Sequence, residues 1–525
     1  MDAPSLLVIL QQWLTAAEYS NLHFLSLSFL ILALSILLLF KIHRVCSLSK
    51  SSNTYKLPPS PPTIPIIGNL HQIGKLAHRS FRHLSQKYGP LMLLHLGQSQ
   101  ILVVSSAEMA KEIMKNQGLV FPNKPSSTAT NALFYGCTDI GFAPYGEYWR
   151  QVRKICVLEL LNAKRVHSFK NVREEEVDTV IQKISSSCSS MEEGEVVINL
   201  SKVLLTLTNN IVSRCAIGAK YESAHENKSG ELSREISRLL GAFSFGDYFP
   251  SLGWMDVVIG LSSKLKKVSQ ELDAFFNQVI DEHLLGQVRD VNKLDLTDIL
   301  LLSQKDNPNI TRNNIKAIIL DMLAGGTDTT ATIMEWAMAE LIKNPKVMQI
   351  AQDEVRRVVG NKHKLEEEDI KQMDYLICIV KESLRLHSPV PLVPRESSKS
   401  TQIAGYDIPL HTKVYINVWA IHRDAKLWDD PELFLPERFM NNSIDFEGQE
   451  FEFIPFGSGR RGCPGILFGI TVVEYILANL LYYFNWELPA GDKREDLDMT
   501  EAFGLTVNKK IPLNVVPEIY TIASA

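Results

Sequence analysis

No C-x-x-C pair and no regular cysteine framework occur in this 525-residue chain. Its seven cysteines (Cys46, Cys137, Cys156, Cys188, Cys215, Cys378 and Cys463) are odd in number and widely spaced. That excludes a disulfide-stapled scaffold and indicates reduced thiols in a reducing compartment. A basic tract is missing too: 54 Lys and Arg stand against 59 Asp and Glu, for a net charge of −5. Nucleic acid is therefore not an expected partner. The chain also shows no internal repeat and, beyond a proline-rich stretch near residue 60, no low-complexity segment. What it does have is 45% apolar and 22% charged residues, an ordinary globular composition that can build a large core.

Acids and bases are also absent from residues 22–40, where His23 is the one titratable side chain. At about 1.5 Å per residue this run nearly spans a hydrocarbon core of about 30 Å, so a transmembrane helix is expected. A cleaved signal carries its bases before the apolar run. Here Asp2 and Glu18 precede it, while Lys41, Arg44, Lys50 and Lys56 follow. By the positive-inside rule, residues 1–21 are lumenal and 22–40 form an uncleaved signal anchor. Residues 41–69 read as a basic and proline-rich linker, in which Pro58, Pro59, Pro61, Pro62 and Pro65 fix φ and remove backbone donors. Residues 70–525 then form one cytosolic domain.

Within it, residues 91–106 read as two strands joined near Gly97, and 413–418 as another strand. Apolar periodicity predicts helices over 148–161, 174–185, 231–240, 263–284, 313–343, 347–359 and 374–386. Helices dominate and no composition shift divides the region. The expected fold class is mainly α with minor β, in a single large α+β domain.

Near the carboxyl end, FIPFGSGRRGCPGILFGI places Phe456, Gly459, Arg461, Cys463 and Gly465 in a glycine-rich turn before an apolar helix. Glycines allow close backbone approach, and the helix that follows puts its positive end near the thiol, favouring a thiolate. Alone, the segment is compatible with a nucleophile, a metal ligand or a buried structural cysteine. AGGTDTT, residues 324–330, lies inside the expected helix 313–343. Glycines there cost about 1 kcal/mol each relative to Ala, so Gly325 and Gly326 require a compensating helix crossing or ligand contact. Asp321, Ala324, Gly325, Asp328, Thr329 and Thr332 share one face of that helix by spacing. KESLRLH sets Glu382 and Arg385 one turn apart, and PERF contains Glu437 and Arg438. WRQVRK sets Trp149 and Arg153 four residues apart, where an indole N–H and a guanidinium can together bind an anion.

The pattern F-x-x-G-x-R-x-C-x-G from Phe456 to Gly465 resembles the haem-binding signature of the cytochrome P-450 family, and the other three segments match that family in order and distance. The resemblance runs from about residue 57 to 516. It implies a haem-thiolate monooxygenase fold, haem b as cofactor and Cys463 as the iron ligand. It also implies that Asp328 and Thr329 deliver protons during oxygen activation. Trp149, Arg153, Arg395 and Arg461 are expected at the haem propionates, and Glu382, Arg385 and Arg438 in a buried structural network. Leu133, Ala324, Val390 and Leu505 are the expected substrate-pocket residues. Arg150, Lys154 and Arg460 are expected on a docking face for the electron donor, and the aromatic-rich residues 241–256 beside an access route. One departure stands in HSPVPLVPRE: Ser388 replaces a frequent proline, and the run to Arg395 is one residue short.

The anchor and spacer match the microsomal branch, which implies a single-pass protein of the endoplasmic reticulum membrane with its catalytic domain in the cytosol. The segments FAPYGEYWRQVRK and AGGTDTTATIMEWAMAEL resemble the large plant group devoted to specialised metabolism. The expected reaction inserts one atom of O₂ into an apolar small-molecule substrate, using electrons from NADPH through NADPH-cytochrome reductase. A haem-thiolate isomerase or dehydratase, and a non-enzymatic haem sensor or scaffold, are the alternatives. Asp328 and Thr329 argue against both, since neither needs protons delivered to dioxygen.

Overall fold

The longest helix of the chain is buried on every side over its second half, and the rest of the fold is built around it. The computed structural model describes residues 26–37, 55–190, 195–219, 231–285, 294–307, 309–362 and 364–521. Its main helices are α1 (Ser26–Leu37), α2 (Ala77–Tyr88), α3 (Glu147–Ile155), α4 (Lys170–Ser189), α5 (Leu200–Ile217), α6 (Glu231–Gly241), α7 (Leu261–Leu285), α8 (Leu296–Asp306), α9 (Arg312–Lys343), α10 (Pro345–Val359), α11 (Asp374–Leu386) and α12 (Ile466–Tyr483). Strands are short: β1 (Leu91–Leu96), β2 (Ser99–Val104), β3 (Ile198–Asn199), β4 (Leu392–Glu396), β5 (Thr401–Ile403), β6 (Tyr406–Ile408), β7 (Lys413–Asn417), β8 (Phe484–Glu487) and β9 (Asn514–Ile519).

Thr311 starts α9 with a reciprocal capping box to Asn314, and every residue from Thr330 to Ile342 is buried. The largest apolar cluster joins Leu204 and Ile211 of α5, Met334 and Met338 of α9, Ala351 of α10, Leu376 and Ile379 of α11, and Ile476 of α12. A second cluster packs Phe276 of α7 and Leu300 of α8 against Ile315 and Ile319 in the first half of α9. The two glycines of AGGTDTT differ in function. A Cβ on Gly326 would sit 3.2 Å from Val212 Cγ2, so this glycine permits the α5–α9 crossing. A Cβ on Gly325 would meet no atom within 4 Å, so this one opens a face of the helix.

The main sheet has the order β1-β2-β7-β4, with β2 and β7 parallel and the other pairs antiparallel. The hairpin turns at Gly97, whose φ is +59°. Two small sheets, β3-β9-β8 and β5-β6, complete the strand content among the described residues. The proline-rich segment differs from the expected spacer. Pro59 O accepts the Leu93 N–H at 2.8 Å, and Asn69 Nδ2 donates to the carbonyls of Pro61 and Pro62 at 3.3 Å. The prolines keep their carbonyls as acceptors while lacking N–H groups, and the segment is closed at its end by the Asn69 N–H, which donates to His95 O of β1 at 2.6 Å. In the apolar run 22–40, α1 is helical and exposed along its length. Residues 1–25 and 38–54, with the basic part of the expected linker, lie outside the described residues. α12 is long and apolar enough to cross a membrane but is 56% buried inside the fold, as a core helix.

Candidate active site

A cavity of about 390 Å³ lies between α9, α6, β4 and the turn that carries Cys463. Its walls are mainly apolar, with Phe134, Ile236, Leu240, Val390 and Leu505 among the lining side chains. The Cys463 turn closes one side. Gly459, with φ +71°, shapes that turn, and the Cys463 N–H donates to Phe456 O at 3.0 Å. The thiol is exposed only to the cavity. Burial pushes its pKa up, against the Gly465 N–H at 3.4 Å and the charges of Arg153 and Lys124, which pull it down. This differs from the sequence expectation: the start of α12 and the glycine amides do not by themselves outweigh desolvation. A thiolate here requires a cation at the sulfur, which is the chemistry of a metal ligand.

Cations gather along the same wall. Lys124, Arg153, Arg395 and Arg461 all line the cavity. Arg153 Nη2 donates to Gly462 O at 2.7 Å, and Arg395 on β4 donates to Pro394 O at 2.8 Å. Arg461 donates to Pro122 O at 2.7 Å and Ala143 O at 2.5 Å, leaving its Nη1 buried without a partner. Burial, reinforced by the neighbouring arginines, pulls Arg395 down to about 9 and Lys124 to about 8. Arg461 falls to about 10, chiefly through burial. Buried cations that depress one another fit a bound anion. The donor set therefore fits haem: a thiol that needs a cation and a cation cluster that needs carboxylates share one cavity.

Trp149 corrects the sequence expectation. Its indole N–H is taken by Ile140 O at 3.0 Å and does not face the cavity; the ring instead underlies the Arg461 guanidinium at 4.1 Å. Sequence reading missed Lys124, a lone lysine in a loop between two prolines, where no periodicity marks it.

Of the α9 face expected from spacing, Asp321, Ala324, Gly325 and Thr329 line the cavity, together with Met322, Gly326, Thr330 and Ile333. Asp328 and Thr332 do not line it. Thr329 Oγ1 donates to Gly325 O at 2.5 Å, whereas Asp328 is 1% exposed and turned toward α6. Asp321 holds the loop before α3: its Oδ2 accepts the Ile140 N–H at 2.6 Å, while burial and neighbouring Asp139 push its carboxyl well above the usual range.

Ala324, Val390 and Leu505 line the cavity, whereas Leu133 is packed in the second core cluster and its neighbour Phe134 takes the lining position. Residues 241–256 do not line the cavity; Phe243 and Trp254 are exposed on the outside. Ser388 turns its hydroxyl back to Leu384 O at 2.6 Å, and despite the short run β4 still brings Arg395 to the wall.

Behind the cysteine turn, Arg385 Nε and Nη2 donate to Glu382 Oε2 and Oε1 at 2.7 and 2.8 Å, and Arg438 Nε donates to Oε1 at 3.0 Å. Glu382 and Arg385 are fully buried. Arg385 also donates to the carbonyls of His422, Pro431 and Leu433, fastening α11 to the segment that precedes the turn. Arg150, Lys154 and Arg460 are exposed, two on α3 and one on the turn itself.

Residues 58–514 match the family model described as Cytochrome P-450. Cytochrome P-450 71A1 of Persea americana is 57% identical over 459 residues, covering 86% of this chain and 91% of that protein. A phenylacetaldehyde oxime monooxygenase of Prunus mume is 50% identical, covering 94% of each chain, and a desmethylyatein synthase of Sinopodophyllum hexandrum is 49% identical, covering 89% and 94%. A solved zebrafish cytochrome P-450 with abiraterone superposes with a TM-score of 0.69 at 23% identity, covering 85% of this chain and all of that one, and shows the same fold. The chain belongs to the cytochrome P-450 family and is a haem-thiolate monooxygenase of plant specialised metabolism, with haem b as its cofactor.

Proposed function

We propose that Cys463 would ligate the haem iron and that Lys124, Arg153, Arg395 and Arg461 would hold the haem carboxylates. The observation that carries this assignment is that one turn brings to the same cavity an Arg461 Nη1 buried without a partner and a Cys463 thiol facing the cavity. Haem, when bound, supplies the activation of dioxygen and the storage of electrons. The protein's own residues do the rest. Gly325 leaves α9 bare on its cavity side, so a flat group can approach the helix backbone. Thr329 passes a proton from its Oγ1 and regains one through Asp328. The apolar walls exclude water and orient the substrate. Glu382, Arg385 and Arg438 hold the cysteine turn in register.

The substrate in this reading is an apolar plant metabolite. The lining side chains and the names of the Prunus and Sinopodophyllum relatives support that class. Electrons come from NADPH through NADPH-cytochrome reductase, which docks on Arg150, Lys154 and Arg460. Residues 22–40 anchor the protein once in the endoplasmic reticulum membrane, with residues 1–21 lumenal and the catalytic domain cytosolic. The apolar surface of Phe243, Trp254, Val257 and Val258 supports contact of that domain with the bilayer.

The test is reconstitution of the full-length protein with a plant reductase, screened against terpenoids, alkaloids and phenolics under isotope-labelled dioxygen. Product that carries one labelled oxygen and depends on NADPH and reductase supports the assignment. Turnover independent of both overturns it in favour of an isomerase or dehydratase.

A further inference from the structure

His422 stands where three parts of the fold meet: the end of α11, the helical turn Val418–Ile421 that follows β7, and the segment that leads into the cysteine turn. It is fully buried, and both of its ring nitrogens are engaged. Nε2 lies 3.0 Å from the Ile454 backbone nitrogen, and an amide N–H can only donate, so Nε2 carries the lone pair. The ring proton therefore sits on Nδ1, which is 3.2 Å from Arg385 O and 3.2 Å from Ser388 Oγ. Ser388 donates its own hydroxyl proton to Leu384 O at 2.6 Å, which leaves its oxygen lone pairs for the ring. Burial, reinforced by the charges of Arg385 and Arg423, pulls the imidazole down to about 3, so the ring stays neutral near pH 7.

What the ring holds is the approach to the cysteine turn. Pro455 has no N–H, so the Ile454 amide is the last backbone donor before Phe456. Ile454 O accepts the Gly457 N–H at 3.0 Å, and Phe456 O accepts the Cys463 N–H at 3.0 Å. The contacts thus run from α11 through His422 to Ile454, and on through the turn to the residue whose thiol faces the cavity. Phe453 stacks on the imidazole with ring centroids 5.5 Å apart and fixes its plane. Arg385 ties down both parts of this residue, its guanidinium donating to the His422 carbonyl at 2.7 Å while its own carbonyl faces Nδ1. Ser388 is the position where the sequence departs from a frequent proline. A proline offers no side-chain acceptor, so in this chain the hydroxyl gives Nδ1 a second one. Groups behind a metal ligand commonly fix its orientation and tune it.

We infer that His422 is a positioning residue for the haem ligand: oriented by Arg385 O and Ser388 Oγ, its Nε2 holds the Ile454 N–H and so sets the turn that presents the Cys463 sulfur to the cavity. This rests on the proposed ligation of the haem iron by Cys463.

The experiment uses the full-length haem enzyme as wild type, His422→Gln, His422→Asn and Ser388→Ala. The glutamine amide oxygen reaches the Nε2 position and can accept from Ile454, whereas asparagine reaches only the Nδ1 position. Both variants lose the stack on Phe453, so packing alone would affect them equally. Two signatures are read: the iron–sulfur stretch of the ferric protein by resonance Raman, and the rate at which the red-shifted carbon-monoxide band of the reduced protein decays to that of haem without a thiolate. His422→Asn is expected to shift the stretch and to decay severalfold faster than wild type. His422→Gln should stay close to wild type in both signatures even where its thermal midpoint falls as far as that of His422→Asn. Ser388→Ala, which leaves the ring and its stack in place, should move the same way as His422→Asn by a smaller factor. Equal signatures in His422→Gln and His422→Asn overturn the role of the Nε2 acceptor and leave the ring as packing. A wild-type rate in Ser388→Ala overturns the orienting role of the serine, and where neither His422 variant retains haem it overturns the inference. A wild type without the red-shifted band overturns the ligation of iron by Cys463 itself.

Discussion

Two buried networks built from the same residue types behave differently in this protein. Around Glu382, every oxygen of the acid is taken by a short hydrogen bond from Arg385, Arg438 or the Leu435 N–H. Around Asp328, the nearest cation is at 3.4 Å, and the Ser237 and Thr506 side chains beside it make no short hydrogen bond to either oxygen. The first arrangement leaves one accessible geometry and so fixes a loop in place. The second holds the acid through longer contacts. Closed and open geometry thus stand side by side in one fold, with both acids buried.

The same acid-to-amide change separates the two networks most sharply. Glu382→Gln should cost about 3–5 kcal/mol, because it strands the fully buried Arg385 and the partly buried Arg438, and be seen as collapsed haem content and a large fall in thermal midpoint. Asp328→Asn should leave stability within about 1 kcal/mol and lower product formation by about 10²-fold, with electrons diverted to hydrogen peroxide. Equal losses of stability in both variants would break the comparison.

A third buried acid tests whether closure, rather than charge alone, sets stability. Glu501 accepts from His78 at 3.0 Å and Arg79 at 2.6 Å, and these partners overcome its burial and hold its carboxyl down to about 2. A depressed folded pKa adds stability above the unfolded value of about 4.3, and that contribution is lost as pH falls toward about 2. Glu501→Gln should therefore cost about 2–3 kcal/mol at neutral pH, with the gap to wild type closing over that acid window in thermal melts.

The smallest effect separates the two glycines of α9. Gly325→Ala should raise stability by up to about 1 kcal/mol through helix propensity while lowering haem retention, because its methyl enters the open face. Gly326→Ala should gain less, since its methyl meets Val212 at 3.2 Å. Thermal melts paired with haem content resolve the two.

Much of this was legible in the sequence, for identifiable reasons. The signature around Cys463 is dense enough to place the turn, and each helix expected from the apolar pattern is present. α5 escaped notice because it is buried on nearly every side and so carries no periodic contrast. β4 escaped because Pro394 argues against a strand, yet it lies at the edge of the sheet, where a missing donor is tolerated. The helix that begins at Glu147 changes to a π turn at Cys156–Leu160, which a regular repeat cannot reveal. Misplaced site residues were off by a rotation rather than by a region. Leu133 gave way to Phe134, and the ideal wheel of α9 put Asp328 on the cavity face when packing against α6 turns that face aside. Trp149 was placed in the right neighbourhood, but which acceptor its N–H meets depends on a loop carbonyl that spacing cannot locate.

The central claim is that the Cys463 thiolate ligates haem within the cation-walled cavity. Its most direct test is the carbon-monoxide difference spectrum of the reduced, membrane-expressed protein beside that of Cys463→Ala. A strongly red-shifted Soret band in the wild type that is absent from the mutant is the expected result. The same band in both proteins, or none in a folded wild type, would contradict the account.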